Sequence, residues 1–329
     1  MKYFYILFFI ALSYIIPYTT SAHVLYLVDK EDATKKGGVD YDFILSPFMD
    51  IKNVGLMLGT IVITLLVLYN WHKIPFLKKK IDYVCNRAST YKVFIPWILR
   101  LSAGISLIGS GVSEVLISPA LKGFASFASL EIFLGFMFIT GFLVIPTALV
   151  SMFLYFLAFQ IDPYIIGNLD FFAIVLALII VENERPGIDD LIGMPHYSPF
   201  KRLKSFVPFI MRMGIGGAMI YLAIYEKILN PHVSEIIVRE FGLMNVFPVS
   251  PEMWVLSVGI IEFVIGLFLL VGFKTRLMSA VAFVVLSGSF FYFGEDVASH
   301  ITLFGVLSVL FITEGGSFSL DKWLSRKSK

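Results

Sequence analysis

The chain has 329 residues, of which 58% are hydrophobic and 15% charged, with a mean hydropathy of +0.85 and a net charge of +2. Soluble domains carry about 25% charge, so most of this chain is kept from water, and the near-neutral balance excludes bulk attraction to nucleic acid. The single cysteine, Cys85, excludes an internal disulfide, a Cys-x-x-Cys redox pair and a thiolate metal cage.

Backbone amides without water must pair internally, which leaves helices or a closed barrel. The apolar stretches run about twenty residues without alternation, the pattern of membrane helices. Residues 1–22 read as a signal peptide: Lys2 gives a positive start, Tyr3 to Ile16 an apolar core, Pro17 a break, and Thr20-Ser21-Ala22 small residues for cleavage. Cleavage makes His23 the first mature residue.

Nine spans are expected after that, near 53–71, 93–116, 126–141, 145–160, 170–182, 207–229, 253–271, 276–293 and 299–314. With the mature N-terminus outside, the loops predicted inside carry sixteen Lys and Arg and those outside carry six. The positive-inside rule therefore places the C-terminus in the cytoplasm. In chain order this predicts an extracytoplasmic segment (23–52), an extra transmembrane helix (53–71), a basic cytoplasmic loop (72–92), a first four-helix unit (93–190), a linker (191–206), a second four-helix unit (207–321) and a basic tail (322–329).

An internal repeat underlies the two units. Arg100, Gly104, Glu114 and Pro119 recur as Arg212, Gly216, Glu226 and Pro231 at an offset of 112. Glu131, Gly135 and Gly141-Phe142 recur as Glu262, Gly266 and Gly272-Phe273 at an offset of 131. Glu182 and Asp189 recur as Glu314 and Asp321 at an offset of 132. Four spans per unit give both the same orientation, a parallel repeat. The fold class is thus an all-α integral membrane protein: nine transmembrane helices after a signal peptide, arranged as two tandem parallel four-helix bundles.

The polar residues inside these spans are the candidates for function. A membrane carboxylate costs about 2.5 kcal/mol or more if charged and unpaired, so Glu131 and Glu262 each need a partner, a proton or water. Arg212 and Glu226 share a helix face but stand about 21 Å apart, too far to pair. Arg100 and Arg212 are expected to snorkel to the inner surface. Glu226, His232, Glu295, Asp296 and His300 gather at the outer end of the second unit, where acids and imidazoles can handle protons or bind metal. A mature N-terminal His23, with His232 or His300, would make a nitrogen-rich copper site. The bland alternatives are register-fixing polar contacts for Glu262 and solvated loops for the outer residues. No phosphate loop, zinc motif, nucleophile elbow or dinucleotide fingerprint is present.

The residues Arg212, Gly216, Glu226-Lys227, Pro231, Glu262, Gly266, Gly272, His300, Gly316 and Ser319-Leu320-Asp321 resemble the pattern of the DoxX family. The first unit departs from it: Val115 stands at the lysine position and Asn168 at the His300 position. The resemblance implies a prokaryotic plasma-membrane subunit linked to quinone or sulfur redox chemistry, with a partner redox subunit, and with Glu262 and His300 managing protons beside a quinone. Proton-coupled or small-solute transport and a scaffold without chemistry are the other readings.

Overall fold

The computed structural model describes residues 38–70, 75–181, 187–194 and 200–327. The signal peptide, His23 and Glu182 lie outside them. Among the described residues there is no strand, only an isolated bridge between Val115 and Lys122. The helices are α1 (Tyr41–Met49), α2 (Ile51–Asn70), α3 (Pro75–Ser89), α4 (Ile95–Val112), α5 (Ala125–Thr140), α6 (Val144–Ile161), α7 (Leu169–Ile180), α8 (Val207–Ile224), α9 (Pro231–Glu240), α10 (Pro251–Val271), α11 (Thr275–Phe293), α12 (Val297–Thr313) and α13 (Leu320–Lys327). A π-turn, Tyr225–Leu229, continues α8.

Six of the described helical stretches are long and apolar enough to cross a membrane: Tyr83–Val112, Val144–Ile161, Pro163–Ile180, Arg202–Leu229, Pro251–Val271 and Thr275–Phe293. Ala125–Thr140 and Val297–Thr313 are apolar but shorter. The chain is a multi-pass membrane protein. Each expected span falls on a helix, with ends shifted by a few residues. Within 72–92, read as a basic loop, Pro75–Ser89 is helical.

Local chemistry sets the helix ends. Proline stands in the first turn of α4, α8, α9 and α10, where no amide partner is lost. Gly141 and Gly272 end α5 and α10 at φ 70° and 71°, a left-handed turn that side chains resist. Above each glycine lies a buried arginine. Arg100 donates through Nε to Phe138 O (3.0 Å) and through Nη2 to Ile139 O (3.1 Å). Arg212 donates to Leu270 O (3.0 Å) and to Phe318 O (3.2 Å). Neither snorkels, because the unpaired carbonyls at the helix end offer acceptors and negative dipole inside the protein. Asp189 accepts from Leu143 N (3.0 Å), and Asp321 from Lys274 N (2.7 Å) and Thr275 N (3.0 Å), capping α6 and α11.

Small residues set the helix spacing. A Cβ on Gly104 would meet Gly135 O at 2.8 Å, and one on Gly216 would meet Gly266 O at 2.8 Å. The backbones of α4 and α5, and of α8 and α10, are therefore in direct contact. The two four-helix stretches do not stand apart as separate bundles. α4 packs on α12, and α8 on α7. A Cβ on Gly305 would collide with Ser102 Oγ, and one on Gly214 with the Ala173 Cβ. One hydrophobic core runs through both stretches, from Leu99 and Leu107 to Met211, Leu269 and Leu310.

The contact at Gly216 is a backbone one, so Gly216→Ala is expected to lower stability in detergent by about 1–3 kcal/mol through overpacking. Gly288→Ala, with nothing within 4 Å of its added Cβ, should be neutral. Thermal unfolding of the two purified variants tests this.

Candidate functional site

The end of α8 gathers three charged side chains within the spans. α8 gives way to the π-turn at Tyr225–Leu229, a wider winding frequent at functional sites. Its loosened carbonyls find side-chain donors. Asn230 Nδ2 donates to Tyr225 O (2.9 Å), and Ser234 Oγ to Glu226 O (2.8 Å). The turn brings two consecutive charged side chains inward, since Glu226 and Lys227 are only 2% and 9% exposed.

Lys227 Nζ lies 2.5 Å from Glu226 Oε2 and 3.6 Å from Glu262 Oε2. Glu226 Oε1 also accepts a short hydrogen bond from the Tyr164 hydroxyl. Tyr164 belongs to the turn between α6 and α7, so the first four-helix stretch contributes to this site. Tyr221 and Tyr225 stack with centroids 5.5 Å apart, and Tyr164 tilts against Tyr225 at 5.4 Å. Gly259 on α10 admits the lysine: a Cβ there would come within 2.9 Å of Lys227 Cβ. Glu262 is 24% exposed, yet its Oε2 is buried and has no hydrogen-bond partner among the described residues.

Two carboxylates and one ammonium are thus desolvated together. Taking charges out of water costs several kcal/mol per ion, recovered only by close pairing. The cluster is electrically balanced when the two acids hold one proton between them. Such a group can exchange a proton without creating a second buried charge.

Among the described residues the first stretch shows no matching acid–lysine–acid cluster. α4 stops at Val112, and Glu114 is exposed in the turn beyond it, with φ 54°. Glu131 is buried and accepts from the backbone N–H of Ile117 (2.8 Å) instead of from a lysine.

A second buried group lies between α7 and α12. Asp170 is 1% exposed, stands beside Thr302 and feels the charge of His300. His300 Nε2 pairs with the buried Glu295 at 2.8 Å, while Nδ1 faces Ser299 Oγ (2.9 Å) and Asp296 O (3.2 Å).

His232 lies on α9, beyond the spans. Its Nδ1 is 3.0 Å from Glu235 Oε2 and its Nε2 3.0 Å from Asp40 Oδ2, with Phe43 against the ring edge at 4.8 Å. Asp40 caps α1 through Phe43 N (3.0 Å), so His232 ties α1 to α9. Glu235, then Asp40, hold the imidazole above its usual pKa. The two acids lie on opposite ring nitrogens and cannot converge on one ion. Among the described residues no group of three His, Cys, Asp or Glu could hold a metal, so nothing there supports the copper reading for His232 and His300.

Of the residues picked out from the sequence, Glu226 and Glu262 meet at Lys227. Arg212 caps helix ends near the opposite end of α8, and His300 forms a separate pair. Sequence reasoning did not single out Lys227, Tyr164 or Asp170 as site residues. Lys227 carries a usable signal, a lysine near the end of a span, 112 residues after Val115 at the same sequence offset as Arg100 and Arg212. Asp170 is an acid within an apolar run. Nothing local marks Tyr164.

Residues 207–295 match the DoxX family model. The chain carries a DoxX domain. The match holds α8 through α11, and with them Glu226, Lys227, Glu262 and Glu295; His300 and residues 93–190 lie outside it. No curated protein and no solved structure matches the chain.

Lys227→Met leaves two acids facing each other without a cation and is expected to cost about 3–5 kcal/mol. Adding Glu226→Gln to it should restore a large part. Unfolding of the single and double variants in detergent measures that coupling. For the α1 tether, a raised imidazole pKa means that the contribution of His232 is fully present below about pH 6.5 and is lost as pH rises through the raised value. Glu235 is held low by His232 and Arg239 against the opposing effect of burial, and Asp40 by the Phe43 amide and His232. Their contributions are lost as pH falls through those lowered values. Spin labels at Met49→Cys and Glu240→Cys, in a Cys85→Ser background, should report their shortest, narrowest distance in mildly acid solution and broaden at alkaline pH.

Proposed function

We propose that this DoxX-domain chain is a membrane subunit linked to quinone or sulfur redox chemistry, with Glu226, Lys227 and Glu262 holding and passing a proton at its outer side. The observation that carries the reading is the lysine between two carboxylates, closed in by three tyrosines at one end of an apolar span. A structural contact needs one acid and one base. The second acid, with an oxygen left without a hydrogen bond, leaves acceptor capacity beyond that need.

The residues fit a quinone. Glu262 Oε2 is an orphaned acceptor for a quinol hydroxyl, Lys227 and Tyr164 are donors for a quinone carbonyl, and the stacked tyrosines present flat apolar faces. A bound quinone supplies two-electron, two-proton redox chemistry. The chain's part is to orient the ring edge through Glu262, keep water out with Tyr164, Tyr221 and Tyr225, and hold the proton between Glu226 and Glu262. Electrons enter or leave through a partner redox subunit. His300 with Glu295 forms a second proton-handling pair.

The organisation we propose is a tandem duplication of the four-helix unit behind an extra span, nine spans in all, with a cytoplasmic C-terminus in a prokaryotic plasma membrane. It is supported by the matching roles of Arg100 and Arg212, of Asp189 and Asp321, and of Gly104 and Gly216. The second unit works and the first supports it through Tyr164.

Protein purified in mild detergent should carry quinone in its extract, and Glu262→Gln should lose most of it while His300→Ala keeps it. Quinone-free wild type would overturn the redox reading. Proton-coupled uptake in liposomes, abolished by Glu262→Gln, would then establish transport in its place.

A further inference from the structure

α1 lies over the outer approach to Glu262, and an apolar contact, a backbone link and an ionic one hold it there. Phe43, 9% exposed, packs with Val238 of α9 and Val255 of α10, and Leu243, Met244 and Trp254 close around them. On α10, Val255, Gly259 and Glu262 follow at i, i+4 and i+7, a line along one face. Seven residues rise about 10 Å, roughly two turns, so Phe43 covers the face of α10 that leads down to Glu262. Gly38 N donates to Asn230 Oδ1 (3.1 Å), and Asn230 Nδ2 to Tyr225 O (2.9 Å), the first carbonyl of the π-turn. The start of α1 is thus tied to the turn that carries Glu226 and Lys227. Elsewhere α1 is exposed, at Tyr41, Leu45, Phe48 and Met49.

His232 supplies the ionic link, between Asp40 Oδ2 and Glu235 Oε2, each at 3.0 Å. A carboxylate only accepts, so filling both contacts takes two ring N–H groups, which imidazolium has and neutral imidazole does not. Either neutral tautomer breaks one bond, and both remove the charge that draws Asp40 to α9. Among the described residues, the charged groups against the imidazole are Asp40 from the α1 cap and Glu235 from α9, with Arg239 behind Glu235 at 2.7 Å; none comes from α10. These acids hold the imidazole above its ordinary pKa, which puts the loss of the link on the alkaline side of about pH 6.5.

We infer that α1 is a gate on the Glu226–Lys227–Glu262 site, with Phe43 as its plug and His232 as the latch that keeps ligand exchange slow until the imidazole is neutral. The inference rests on the reading of Glu262 as a ligand contact and adds where the ligand enters and what controls entry.

The test is thiol labelling of Val255→Cys in the full-length chain, in a Cys85→Ser background and mild detergent, with a water-soluble methanethiosulfonate reagent. Dividing each rate by that of the same thiol beside Phe43→Ala cancels the effect of pH on the thiol. At about pH 6, labelling with Phe43 in place should be on the order of tenfold slower than with Phe43→Ala. At about pH 9 the two rates should converge, and His232→Ala should label fast at both. Equal rates with and without Phe43 at about pH 6, or a Phe43 effect that pH does not change, would overturn the gate. Phe43 and His232 lie outside the spans, and unchanged unfolding temperatures confirm that their variants keep the bundle; the pH response of the chain that retains both residues tests the latch without them. Release of a bound short-chain quinone is followed at the same two pH values. Gated labelling with no quinone bound at either pH supports the gate and removes the quinone. Quinone bound and lost in Glu262→Gln, with labelling indifferent to Phe43 and pH, removes the gate alone.

Discussion

The geometry of this molecule depends on four glycines that let helix backbones touch. Gly104 against Gly135, and Gly216 against Gly266, remove the side-chain layer that normally separates packed helices. Lipid offers no hydrophobic drive for helix association, so close van der Waals contact and internal polar bonds must supply it. Once α8 and α10 are clamped at Gly216 and Gly266, their neighbouring turns are fixed. Gly259 then lies against Lys227, and Glu262 comes within reach of its ammonium.

The polar residues divide by what they bond. Arg100, Arg212, Asp189 and Asp321 bond backbone groups at helix ends and replace the water those ends would otherwise need. Glu226, Lys227 and Glu262 bond one another and leave an oxygen over. Glu131 shows how little separates the two cases. It stands 131 residues before Glu262 in sequence, yet it bonds a backbone N–H from Ile117 and no ammonium. The difference arises in the turn before it, where α4 stops at Val112 while α8 continues through a π-turn.

Much of the helical layout was legible in the sequence because lipid imposes long apolar runs, and helix ends carry their own marks in Pro208, Pro251, Gly141 and Gly272. The recurring charged residues were legible too, since a charge in a span is rarely placed by chance. The burial of Arg212 was not, because the carbonyls that receive it come from α10 and from the loop before α13, 58 and 106 residues away. The site was half legible. Glu226 and Glu262 stood out as acids in apolar surroundings, but the π-turn that turns Lys227 toward them has no sequence mark. Tyr164 arrives from the other four-helix stretch, and no periodicity along the chain announces a contact 62 residues distant.

The exchange of neighbours between the two stretches has a consequence for biosynthesis. The face of α4 that carries Ser102 and Gly109 is covered by α12, which begins about 200 residues later in the chain. At roughly 5–20 residues per second, that face waits on the order of 10–40 s after leaving the ribosome before its own covering helix has been made. During that time the nascent first half sits in the bilayer with a seam open to lipid or to another chain. Its small and hydroxylated residues make that seam tolerable there. An insertion factor or a neighbouring nascent copy would find the same surface open to it.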